Sequence, residues 1–285
     1  MQARVADRVL GGLSVRVHYP AAAGAAGAPV EAALPVVVFS HGLGGSRLGY
    51  GFLGRAWAEH GYVSLHPSHR ENLPFGAAEA ERPSLSTLRA MKEAIDDPRN
   101  WEARPRDVAA AIDALSGLQL PALAGKLDAS RIAVAGHSYG AYTALLCAGA
   151  GIRLDGATSD FRERRAQAFI ALSPPGNGSR GLEAASWADI TAPVLCVTGT
   201  HDRGFQGQPP EWREESFRAL PPPDKTLVVV DGAEHFTFSG GRPRLPADPA
   251  HLRDIVAATL WFLDRHLKGD PRALPVLAGS RVERK

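Results

Sequence analysis

The chain has 285 residues, 45% of them hydrophobic, enough to bury a large core, and its formal net charge is only +2. With charges of both signs interspersed, no basic stripe argues for nucleic acid, and no run approaches the roughly 20 apolar residues of a membrane span. Cys147 and Cys196 lie in apolar surroundings without metal-ligand spacing and are expected as reduced core residues.

The opening MQARVADRVL lacks the apolar centre of a signal peptide, so the expected location is cytoplasmic, with a mature secreted or periplasmic form also compatible. Strands are then predicted in order at LSVRVHY from Leu13, LPVVVFS from Leu34, GYVSLH from Gly61, RIAVAG from Arg131, AFIALS from Ala168, APVLCVTG from Ala192 and KTLVVVDG from Lys225. The first alternates, as an antiparallel edge would. Several others are apolar on both faces, the pattern of a parallel sheet covered by helices on each side.

Helices are predicted between them at Tyr50 to His60, Arg106 to Leu115, Ser138 to Ala148, Glu211 to Leu220 and Pro249 to Leu267. The alternation predicts one α/β domain over residues 1–285, doubly wound around a mostly parallel central sheet. AAAGAAGAP, from Ala21 to Pro29, reads as a loop. Two connections, residues 69–104 and 173–190, exceed what such a fold needs and are candidate lid or substrate loops. The first contains SLSTLRAMKEAID, a candidate lid helix from Ser84 to Asp96.

The chemistry concentrates at strand ends. AGHSYGA places Ser138 between Gly136 and Gly140, where an apolar strand meets a small-residue helix. Such a turn lifts a serine hydroxyl above the sheet in a strained conformation, in front of a helix N-terminus that favours negative charge. A serine needs a base, and the base needs a carboxylate to fix its tautomer. Asp202 follows the strand in PVLCVTGTHDRG, and His235 follows the strand in TLVVVDGAEHFTF, in the order nucleophile, acid, base. His201 is a rival base, Asp231 a rival acid, and His251 and His266 fall on the last helix.

Backbone donors for an oxyanion are expected at the Tyr139 amide and, from the glycine-rich VVVFSHGLGGSR, at the Leu43 amide. That loop lacks the lysine of a phosphate-binding loop, and its arginine stands where a dinucleotide fingerprint needs glycine. His137 is expected to be a satisfied core histidine. His66 and His69 have no companions at metal-ligand spacing, so neither metal nor cofactor is expected. Leu73, Phe75, Pro174 and Trp187, on the two long loops, and Phe236, next to His235, are candidate pocket residues.

In VVVFSHGLGGSR, WAEHGYVSLHPSHR, RPRDVAAAIDAL and GHSYGA, in that order and spacing, the chain resembles the α/β hydrolases, and among them the dienelactone hydrolase-like and platelet-activating-factor acetylhydrolase-like group. The resemblance implies a serine esterase with Ser138 as nucleophile, His235 as base, Leu43 and Tyr139 as oxyanion donors, and a small-molecule ester as substrate. Animal acetylhydrolases carry their acid after the strand that follows the nucleophile helix. Here that stretch reads IALSPPGNG, without a carboxylate, which moves the acid to Asp202 and weighs against phospholipid specificity. Dienelactone hydrolases use cysteine where this chain has Ser138. Amide or peptide hydrolysis, lipid or polyester hydrolysis, and a catalytically silent binding fold remain as alternatives, and the oligomeric state is open.

Overall fold

A computed structural model describes residues 1–21, 33–70, 84–154, 156–242 and 245–285. The polar edge of its main sheet begins with an antiparallel hairpin, β1 (Ala3–Leu10) and β2 (Leu13–Pro20). Then follow β3 (Leu34–Ser40), α1 (Gly51–Glu59), β4 (Val63–Pro67), α2 (Leu85–Asp96) and α3 (Pro98–Asp113). β5 (Leu127–His137) leads into α4 (Tyr139–Ala148), and β6 (Ala166–Leu172), β7 (Val194–His201), α5 (Glu215–Ala219), β8 (Lys225–Glu234), α6 (Pro249–Leu267) and β9 (Ser280–Arg284) complete the order.

The sheet has nine strands in the order β1-β2-β4-β3-β5-β6-β7-β8-β9. The run from β4 to β8 is parallel, and the strands at its two margins are antiparallel. Successive residues of a strand face opposite sides, so the apolar runs feed two cores. Val36 and Val38 join Val108, Ile112 and Leu145 on one face, whereas Val37 and Phe39 join Trp57, Ile255 and Phe262 on the other. This double coverage is why these strands read as unbroken hydrophobic stretches.

β3 pairs with β4 on one side and with β5 on the other, so the chain reverses its winding direction there. In open α/β sheets a crevice forms at such a reversal, beyond the carboxyl ends of the strands. Ser40 lies opposite Gly136 in the β3–β5 ladder, and the glycine-rich loop and the Ser138 turn therefore leave the sheet side by side.

Four expectations shift. The alternating Leu13 run is not the edge: β1 covers it, and β1 itself escaped notice because half its residues face solvent. β9, rich in charge, was equally silent in the sequence. The helix expected from Arg106 begins at Pro98, capped by the Asp97 side chain, and continues through Pro105 at the loss of one backbone bond. The helix expected over Glu211 to Leu220 divides into a 3₁₀ segment, Pro210–Glu214, and the short α5. The helix expected within residues 69–104 is present as α2, with the Ser84 hydroxyl accepting from the Thr87 amide. Most of the Ala21 to Pro29 loop lies outside the described residues.

Candidate active site

Ser138 occupies the junction of β5 and α4 at φ 56° and ψ −112°, a conformation that L-residues rarely hold. Its amide donates to the Leu172 carbonyl at 2.9 Å, tying the turn to β6. The flanking glycines are steric necessities. A Cβ on Gly136 would strike the Gly140 carbonyl, and one on Gly140 would strike the Ser40 carbonyl and approach that of His41 to 2.8 Å. Gly140 thus lets the N-terminus of α4 press against the exit of β3, which brings the Tyr139 and Leu43 segments to one place. Ser138 and Leu43 are both partly exposed, whereas Tyr139 is buried.

The acid and the histidine come from adjacent parallel strands. His201 and Glu234 are paired at the ends of β7 and β8, and a Cβ on Gly199 would meet Ala233, so these strand ends also approach closely. Beyond them His235 Nδ1 lies 2.9 Å from Asp202 Oδ1. Asp202 is fully buried and its other oxygen accepts from the Thr198 hydroxyl at 3.0 Å. Burial by itself would raise the Asp202 pKa. The hydrogen bond from His235 and the positive charge of Arg213 outweigh it, and the carboxyl is held well below the usual carboxylate range.

Three further side chains complete the surroundings of His235, and the sequence flagged only one. Ser173 Oγ lies 2.9 Å from Nδ1, from the position where the acetylhydrolase pattern carries an acid, and Ser173 is itself strained at φ 55°. Arg213, from the 3₁₀ segment, approaches Asp202 Oδ1 to 3.3 Å through Nε. His137 is buried and satisfied on both nitrogens, as expected. The Tyr50 hydroxyl accepts from the Gly42 amide at 3.0 Å and lies 2.9 Å from His137 Nδ1. Tyr50 therefore donates to Nδ1, which leaves Nε2–H to donate to the His235 carbonyl at 3.1 Å. Burial first, then the neighbouring His235, keeps His137 well below the ordinary imidazole range, so it stays neutral. No local sequence signal could have marked Tyr50 or Arg213, because their partners lie far along the chain.

The rivals fall elsewhere. His201 is exposed, and Asp231 accepts from Thr200 at 3.0 Å on the surface. His266 packs its ring on Phe262, and His251 lies beside Gly232. Both cysteines are buried and free. Among the described residues no group of three or more His, Cys, Asp or Glu could hold a metal, and no helix is long and apolar enough to cross a membrane.

Of the candidate pocket residues, Leu73 and Phe75 lie outside the described residues. Phe236 is exposed, its ring edge-on to His235 at 5.7 Å between centroids. Pro174 is buried. Trp187, expected beside the pocket, is a fully buried core residue, its indole N–H donating to the Asn177 side chain at 2.7 Å.

A solved structure from Klebsiella pneumoniae subsp. pneumoniae MGH 78578, assigned as a dienelactone hydrolase, superposes with a TM-score of 0.65 over 93% of this chain and 100% of that one, at 18% identity. The chain has the α/β-hydrolase fold. Residues 2–81 match the family profile of platelet-activating factor acetylhydrolase, isoform II, a stretch that includes the glycine-rich loop and ends before Ser138. Curated relatives are the cutinase est2 of Thermobifida alba, 26% identical over 205 residues, and the platelet-activating factor acetylhydrolase of Canis lupus familiaris, 24% identical over 239 residues. These alignments cover 70% and 73% of this chain but 52% and 50% of the two relatives, so the chain spans about half the length of the curated relatives it matches.

Proposed function

We propose that the chain is a serine carboxylic-ester hydrolase acting through an acyl-enzyme at Ser138, with Asp202 and His235 completing a triad. The observation that carries this reading is the strained Ser138 turn at the sheet's reversal point, beside a histidine whose Nδ1 faces a buried carboxylate.

In the first half-reaction the Ser138 hydroxyl attacks the ester carbonyl carbon while His235 Nε2 takes its proton. Asp202 accepts from Nδ1–H throughout, fixing the tautomer and stabilising the imidazolium. Negative charge collects on the former carbonyl oxygen, where the Leu43 and Tyr139 amides donate to it; one such donor is worth about 3 kcal/mol in the transition state. Collapse expels the alcohol, which leaves with the proton from His235. Water then enters and attacks the acyl carbon as His235 removes its proton; the acyl–Oγ bond breaks, His235 returns that proton to Ser138, and the acid departs. The chemistry needs no cofactor.

The substrate class we favour is short- to medium-chain acyl esters. Initial rates on p-nitrophenyl esters from acetate to dodecanoate, with Ser138→Ala as background, test both levels of the proposal. A Ser138-dependent rate that falls steeply with chain length supports it. A maximum at long chains redirects the substrate to lipid or polymeric esters, and no Ser138-dependent rate on any ester removes the esterase reading.

A further inference from the structure

A guanidinium buried against a catalytic-type Asp–His pair is not needed to build a serine–histidine–aspartate relay, yet Arg213 sits there with its side chain 5% exposed. Its backbone partners anchor it: Nη1 donates to the Ser173 and Pro174 carbonyls at 3.2 and 3.3 Å, and Nη2 to the Arg203 carbonyl at 3.1 Å. These three carbonyls belong to the loops after β6 and β7, so one side chain links the loop that presents Ser173 to the loop that presents Asp202. The remaining face of the guanidinium meets the pair itself. Nε is 3.3 Å from Asp202 Oδ1, and Nη2 is 3.2 Å from His235 Nδ1.

The second contact has a physical consequence. With Nδ1–H donating to Asp202, Nη2 and Nδ1 are both donors, and their approach is not a hydrogen bond but a cation held beside an imidazole. Asp202 draws a proton onto His235; Arg213, sharing the same carboxylate oxygen, opposes that pull. The other groups facing His235 do not replace it. His137, at 4.8 Å between ring centroids, is buried and neutral, Ser173 is uncharged, and Glu234 on the adjoining strand end is exposed and paired with Arg242 at 3.6 Å. Arg213 is thus the cation that balances Asp202.

We propose that Arg213 is a positioning residue that clamps the Ser173 and Asp202 loops and offsets part of the Asp202 charge at His235. The inference rests on the triad reading above, and its test has a readout independent of turnover. In a Ser138→Ala background, the His235 Cε1–H NMR signal, assigned by its loss in His235→Gln, is followed from about pH 4 to about pH 9. Arg213→Gln should raise the titration midpoint by about one pH unit, and Arg213→Lys should leave it within about 0.3 unit.

On the active protein, the acid limb of kcat/KM for a p-nitrophenyl ester should move up by the same amount in Arg213→Gln, roughly a tenfold loss on that limb. An unchanged midpoint with a lowered Tm would make Arg213 a structural clamp only and overturn the proposal. If Arg213→Gln does not fold, Asp202→Asn and Asp202→Asn/Arg213→Gln are compared instead, because the double variant leaves no unpaired buried charge. The double variant should then titrate about one unit higher, and equal midpoints would overturn the proposal. Absence of any Ser138-dependent hydrolysis would refute the esterase reading while leaving this titration result standing.

Discussion

The molecule contains two groupings of serine, histidine and aspartate, and by hydrogen bonds alone the one without the proposed nucleophile is the more complete. Ser40 Oγ is 2.8 Å from His69 Nε2, and His69 Nδ1 is 3.1 Å from Asp107 Oδ2. At the other, Asp202 and His235 are in contact at 2.9 Å, and the His235 ring centroid lies 4.8 Å from that of His137, the residue before Ser138 and its strained turn. What separates them is access and backbone. Ser40 is a fully buried strand residue, and the His69 side chain is wholly buried too. Asp107 also accepts from the Arg70 amide at 2.9 Å and from its guanidinium at 2.6 Å. That serine has no exposed surface and sits in regular strand backbone rather than at a strained turn. The buried set instead braces the glycine-rich loop, since the His69 amide donates to His41 Nε2 at 3.3 Å and Arg104 donates to the His41 carbonyl.

The sharpest way to break the comparison is to exchange the serines. Ser138→Ala should lower kcat on an activated ester by about 10⁴-fold or more, with the Tm nearly unchanged. Near-normal turnover in that variant, measured against an empty-vector preparation, would remove Ser138 from the chemistry.

The acids give the next largest contrast. Asp202→Asn should lower kcat by about 10³-fold or more, because the amide cannot fix the Nδ1–H tautomer. Asp107→Asn should act on stability: it weakens the acceptor shared by His69, the Arg70 amide and the half-exposed Arg70 guanidinium, and should cost about 1 to 3 kcal/mol in urea unfolding. Its kcat per folded molecule should stay within about tenfold of the parent. If Asp107→Asn abolished turnover while Asp202→Asn spared it, the two constellations would have to trade places.

Only one of the two was legible in the sequence. Ser138 announced itself because a strained turn demands glycine on both sides, and that demand is local. Asp202 and His235 were legible because each follows an apolar strand whose order the fold fixes. The Ser40, His69 and Asp107 set had no such signal: Ser40 looked like the last residue of a strand, and Asp107 like one more charge on a helix. Arg213 was hidden for the same reason, its partners lying 10 to 40 residues away. Local pattern reveals backbone constraints, whereas burial of a charge is decided by tertiary contacts that pattern does not encode. The core strands were therefore plain, and the half-exposed β1 and charged β9 were not.

A third histidine site extends the comparison to pH. His18 and His66 face each other across the β2–β4 ribbon, 4.9 Å between ring centroids, and His18 lies so close to Gly54 that a Cβ there would meet its ring at 2.5 Å. Burial, with the nearby Arg16 and Arg55, outweighs the pull of Asp7 toward the charged form, the weakest of the influences on His18, and lowers it from 6.5 to about 4. The unfolded chain then binds a proton that the folded chain refuses between these values. Stability from this site is complete above pH 6.5 and is lost as the pH falls toward 4, by about 3 kcal/mol at roughly 1.4 kcal/mol per pH unit. Urea midpoints measured across that window should fall for the parent and fall less for His18→Phe. Parallel slopes would place the acid sensitivity elsewhere.

The smallest expected effect is also the most discriminating for the idea that hydrogen-bond geometry does not make a site. Ser40→Ala removes one hydroxyl and with it the 2.8 Å contact to His69 Nε2 inside the protein. Losing a hydrogen bond of this kind costs about 1 kcal/mol, and the alanine fills the strand position without strain. Urea unfolding should therefore show a loss of ~1 kcal/mol. Because the hydroxyl lies behind the glycine-rich loop and not in the crevice, kcat should change by less than about tenfold through any slackening of that loop. A loss as large as that of Ser138→Ala would mean the loop's amides depend on this single bond, and the bracing network would then count as part of the oxyanion site.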